Sequence, residues 1–132
     1  MSRAYLDDPR GRQSEALAHE ADVLARQGSD ARARELYAQA AQLEAAVALE
    51  VPLDMPQVHS ALAVSAVALW LKAGRHEETQ ALARRFLATP PLTSDAERQL
   101  QVMAGLAALM QDIAAADRCE ESAAQLVSDM RR

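Results

Sequence analysis

Thirty of the 132 residues are alanine, and no other feature of the sequence narrows the fold as far. Alanine has the best helix propensity and no side-chain entropy to lose, and its size lets two helices approach closely. Half the chain is apolar, yet aromatics make up only 3%. A core with that content is filled by nested helices. A sheet would want runs of Val, Ile, Thr and aromatic residues. The expectation is an all-α chain with one domain at this length.

Apolar periodicity lays out the elements. Residues 1–12 hold Asp7, Asp8, Pro9 and Gly11 among alternating charges and read as a flexible N-terminal arm, with Tyr5 and Leu6 free to dock on a neighbour. Residues 13–132 form the single helical domain. Between Arg12 and Gln27, positions Leu17, Ala21, Leu24 and Ala25 recur on one face, and Gly28 follows as a helix terminator. Ser29 or Asp30 caps a second helix with Ala33, Leu36, Tyr37, Ala40, Leu43 and Val47 on one face, ending near Glu50 ahead of Pro52. Asp54 and Gln57 form a capping-box pattern for a third helix over Met55–Ala73, with Pro56 in its first turn. From Ala61 to Leu71 that helix is apolar on nearly every face, which predicts burial all round, at the centre of the domain or in an interface. Gly74 closes it.

A fourth helix over Arg75–Ala88 turns Leu82, Ala83, Phe86 and Leu87 inward and stops at Pro90-Pro91. Ser94-Asp95-Ala96-Glu97 repeats the capping-box pattern, and Leu100, Met103, Ala104, Ala107 and Met110 form the stripe of a fifth helix. A break near Gln111-Asp112 separates a sixth helix, whose inward set is Ile113, Ala116, Ala123, Leu126, Val127 and Met130. That break lacks Gly or Pro, so one long kinked helix is the alternative. Six helices in this order make three stacked antiparallel hairpins.

The glycine turns Gly28 and Gly74 lie 46 residues apart, each between a helix pair. In the first pair the order Leu17, Ala21, Leu24, Gly28, Ala33, Tyr37, Ala40 resembles the tetratricopeptide (TPR) repeat: large, small and large residues, a turn glycine, then Ala, aromatic and Ala. The resemblance covers residues 14–45. In the second pair Trp70, Gly74 and Pro91 fall on consensus-like positions, while Thr79 and Ala83 stand where Ala and an aromatic are usual. The third pair has no turn glycine. The resemblance implies a right-handed superhelix with the first helix of each pair lining a concave face; a compact helical bundle is the other arrangement that stacked hairpins allow. It places Glu15, Ala18, Asp22, Ala25 and Arg26 in that groove from the first pair, and Ala61, Val64, Ala68, Leu71 and Lys72 from the second.

Composition and motifs narrow the function. The net charge is −5 and the basic runs are no longer than Arg84-Arg85 and Arg131-Arg132, which disfavours nucleic acid. The acidic N-terminal segment lacks the apolar core of a signal peptide, and the longest near-apolar run is too short to span a bilayer, so a cytoplasmic, non-membrane protein is expected. His19-Glu20 has no second histidine at zincin spacing, and His76 sits among Glu77 and Glu78 at a helix start. One cysteine and scattered histidines predict no metal site and no cofactor. Cys119, with His59 or His76 as base, has no local motif for nucleophilic chemistry and reads as a small residue on an Ala-rich helix. The four glycines are isolated, so no phosphate loop forms.

The expectation is therefore a non-enzymatic adaptor or scaffold domain. It binds a peptide or helix of another protein through the groove, at Glu15, Asp22, Arg26, Ala61, Val64, Ala68, Leu71 and Lys72. The alternative is self-association as a homodimer through the apolar helix 55–73.

Overall fold

The computed structural model describes residues 7–131, and among these the chain is all-helical, without strands. Five helices follow one another: α1 (Pro9–Arg26), α2 (Asp30–Glu50), α3 (Pro56–Lys72), α4 (His76–Leu87) and α5 (Ser94–Met130). α1 pairs with α2, α2 with α3, and α3 sits against α4 and α5, which also pack on each other.

The two glycine turns are the same motif. After α1, the Ser29 N–H donates to the Leu24 carbonyl at 2.9 Å and the Gly28 N–H to Ala25 at 3.1 Å. After α3, the Arg75 N–H donates to Trp70 at 3.2 Å and the Gly74 N–H to Leu71 at 3.0 Å. Both are Schellman closures, which need a left-handed residue at the turn; Gly28 (φ 82°) and Gly74 (φ 72°) supply it without a Cβ penalty. Each hairpin therefore turns over three residues, and α1–α2 and α3–α4 are built alike.

The third hairpin is not formed. α5 runs unbroken through Gln111-Asp112 for 37 residues, so the expected break and the sixth helix are corrected to one helix. Every residue from Gln111 to Ile113 continues a helix readily, and neither Gly nor Pro opens the hydrogen-bond ladder there. The correction changes what the end of the chain does. Ile113, Ala116, Ala123, Leu126, Val127 and Met130, expected to point inward, are half-buried nowhere and lie exposed on a rod that leaves the body.

Helix starts differ from expectation at three places. α1 begins at Pro9, with the Asp8 carboxylate accepting from the Arg10 N–H at 2.8 Å, so residues 9–12 are helical where an arm was expected. The remainder of that arm, with Tyr5 and Leu6, lies outside the described residues. α3 starts after Met55 without a side-chain cap, because Pro56 takes the first helical position in place of the Asp54–Gln57 box. Thr93, one residue earlier than expected, caps α5 by accepting from the Ala96 N–H at 3.2 Å.

The core has two lobes that α3 joins. The first gathers Ala21, Ala33, Leu36, Tyr37, Ala40 and Ala41 with Leu69 and Ala73, and the half-buried Trp70 packs against it. The second gathers Val47, Ala48, Leu62, Ala63, Val67, Ala83, Phe86 and Leu100. Alanine at most contacts lets α1, α2 and α3 nest closely, with Tyr37 and Phe86 filling the wider gaps. Two hydroxyls tie elements together from inside. Ser14 Oγ donates to the Ala40 carbonyl at 2.9 Å, and the Thr93 N–H donates to Ser60 Oγ at 2.9 Å.

Candidate functional site

α3 uses its apolar character inside the chain. Leu62, Ala63, Ala66, Val67 and Leu69 are buried against α2, α4 and α5, and only one edge of the helix reaches the surface. On that edge Ala61 is exposed, while Val64, Ala68 and Leu71 are half-buried. The helix is the centre of the domain.

The expected groove residues fall into three separate places. Glu15 and Ala18 line a cleft of about 260 Å³ between α1, α2 and α3, together with Gly11, Ser14, Glu44 and Ser65. Ala61 and Val64 line a second, of about 250 Å³, with Gln57 and Ser60 of α3 and Asp95 and Gln99 of α5. Asp22 and Lys72 meet at neither. The Tyr37 hydroxyl donates to the Asp22 carboxylate, and Lys72 Nζ stands 5.6 Å from the centre of the Tyr37 ring. Arg26, exposed in the last turn of α1, is close enough to act on the same phenol. Burial first, and then the hydrogen bond to Asp22, pushes the Tyr37 hydroxyl up to about 12. Asp22 and Lys72 thus brace Tyr37 across the α1–α2–α3 junction, and Ala68 and Leu71, half-buried on α3, line neither of these clefts.

Glu44 is the residue in the first cleft that sequence reasoning did not single out. Burial raises its carboxyl above the usual range; the Ser14 and Ser65 hydroxyls oppose that shift, and the neighbouring Glu15 charge adds to it. It sits mid-helix among alanines on α2, and only the arrival of α1 and α3 on either side makes it a cleft floor. At the rim, Arg10 Nη1 donates to Glu50 at 3.0 Å while its Nη2 pairs with Asp8 at 2.9 Å. The hydrogen bond to Arg10 holds the Asp8 and Glu50 carboxyls below their ordinary range.

The largest open apolar surface lies elsewhere, along α5. Ala96, Leu100 and Ala107 are buried on the body side of this helix. Val102, Leu106, Leu109 and Ile113 are exposed, at 63% for Val102, and Leu126, Val127 and Met130 continue the exposure to 84% at Met130. With 100° per residue, the row 102–106–109–113 lies on the side of the helix opposite Leu100 and Ala107. The spacing of four and three residues carries on through Ala116, Glu120, Ala123, Val127 and Met130, a heptad seam with one acidic position. α5 therefore carries two apolar stripes; the sequence reading turned the outer half of the second, Ile113, Ala116, Ala123, Val127 and Met130, inward as a sixth helix and passed over Val102, Leu106 and Leu109. The signal for the second stripe was present in the alternation of the two sets between residues 100 and 113.

No family model, curated protein or solved structure matches this chain.

Three other features complete the inventory. No helix among the described residues is long and apolar enough to cross a membrane. Among the described residues no three His, Cys, Asp or Glu side chains gather as metal ligands. Cys119 is exposed beside the seam, and His59 is buried at 3% exposure with neither ring nitrogen hydrogen-bonded among the described residues, its ring edge-on to Phe86 at 5.5 Å.

Proposed function

We propose that the chain is a non-catalytic protein-interaction domain, an adaptor or scaffold, whose docking element is the outward seam of α5. One observation carries this: a helix that leaves the body for its last five turns still presents large apolar side chains at coiled-coil spacing to water. A single helix of that length is marginal in water on its own, and a contiguous apolar stripe is the usual mark of a surface that another helix covers. The repeated Schellman hairpins support a TPR-like scaffold behind it, with α1, α3 and the start of α5 on the side of the two clefts.

The cleft floor supports a second docking surface on the same domain. Glu44 has two serine hydroxyls beside it and Glu15 at its rim, and among the described residues no lysine or arginine is paired with it. An extended peptide lying over Ala18, Ser65 and Leu69, with a basic side chain above Glu44, fits that arrangement.

The test compares proteins captured by the immobilised chain with those captured by the double variant Leu109→Glu/Ile113→Glu and by Val64→Glu. Both substituted positions on α5 are exposed, so the variant keeps its circular dichroism and melting profile. Partners lost with the α5 variant alone support the seam; partners lost with Val64→Glu alone move the docking surface to the clefts. If neither variant loses a partner, the assignment fails.

A further inference from the structure

Resting on the α5 docking surface above, we infer that the helix covering it is the same helix of a second copy, packed antiparallel.

Four observations lead there. The seam is complementary to itself when reversed. Its first half holds the large residues Val102, Leu106, Leu109 and Ile113, and its second half holds Ala116 and Ala123 before Val127 and Met130. Antiparallel packing sets Leu106 against the partner helix at Ala123 and Ile113 against it at Ala116, large against small, with Leu109 opposite Glu120 and Val102 opposite Val127.

Charge selects the direction. In a parallel pair, the position seven-g of one heptad faces the position e of the next, which brings Asp112 against the partner's Asp117 on both flanks. Reversing one helix breaks those two contacts. It also carries Arg131 toward the partner's acidic first turn, Asp95 and Glu97, and opposes the two helix dipoles.

The bodies do not obstruct the contact. The seam lies on the side of α5 opposite Ala96, Leu100 and Ala107, so both bodies stay on the outer flanks of the helix pair. The area is sufficient. Val102, Leu106, Leu109, Ile113, Val127 and Met130 leave on the order of 600 Å² of surface open, which is the share each partner buries at the lower edge of specific interfaces. Glu120 is the one acidic seam position. Such a residue lowers affinity while disfavouring slipped registers.

Sedimentation equilibrium of the full chain over a wide micromolar range tests the pairing. The expected result is twice the chain mass for the wild type and the single mass for Leu109→Glu/Ile113→Glu at unchanged helicity. Orientation is read from a spin label on Ser128→Cys in a Cys119→Ala chain. Antiparallel packing places the two labels about 40–45 Å apart along the pair at 1.5 Å per residue, and parallel packing about 10–15 Å apart. A monomer at every concentration overturns the inference, and the capture experiment then decides separately whether the α5 surface serves a foreign helix. A dimer that survives Leu109→Glu/Ile113→Glu, or labels at the shorter distance, also overturns it.

Discussion

His59 is the costliest side chain in the core. It is buried on the first turn of α3 with its ring edge-on to Phe86 of α4, and neither nitrogen has a partner among the described residues. A buried polar group left without a hydrogen bond costs about 1–3 kcal/mol. His59→Leu keeps an apolar filler and removes that cost, so the melting temperature at pH 7 is expected to rise by several degrees; a fall would show that the imidazole has a partner. Glu44 is the second such residue. Its folded-state carboxyl is raised by burial, so the folded chain holds a proton that the unfolded chain releases between the ordinary value of 4.5 and the raised one. Stability therefore declines as pH climbs through that window, because the ionised form is the penalised one. Glu44→Gln is expected to flatten the slope of melting temperature against pH above 4.5 and to leave the variant slightly more stable at pH 7. The Arg10 latch has the opposite sign. Its contribution is present at neutral pH and fades as pH falls through the lowered range of Asp8 and Glu50. Neither His59 nor Glu44 could be recognised from the sequence, since each is an ordinary polar residue on a helix until other helices bury it.

At the scale of elements, local chemistry accounts for most of what forms. Gly28, Gly74 and the Pro90-Pro91 stop bound four of the five helices where periodicity and turn residues place them. α5 is the exception, and it shows what a missing signal means: without Gly or Pro, a polar pair such as Gln111-Asp112 does not end a helix. Its last five turns hold no buried side chain, so their helicity depends chiefly on the local sequence and on whatever covers the seam. Ala115→Pro is expected to unwind the outer part of α5, lowering the helical signal at 222 nm by up to roughly a sixth, while the near-UV signal of Trp70 stays unchanged. Loss of the Trp70 signal would mean that the rod supports the body.

At the scale of the whole molecule, the body and the rod divide the work. Everything buried lies at or before Ala107. A chain ending at Gln111 is therefore expected to fold with a melting temperature that does not depend on concentration, whereas that of the full chain rises with concentration as the seam is covered. An unfolded truncated chain would contradict this division. The all-helical class, the two glycine hairpins and the inner stripe of α5 are legible in the sequence, because helix propensity, turn chemistry and amphipathic period act over a few residues. Tertiary packing decides that α3 is central rather than an interface, which stripe of α5 meets the body, that Asp22 and Lys72 meet Tyr37, and that Glu44 floors a cleft. Those outcomes depend on which helices arrive from distant parts of the chain, and a residue's neighbours in sequence carry no record of them. The second stripe of α5 has the same composition as a core face, and among the described residues no other helix covers it.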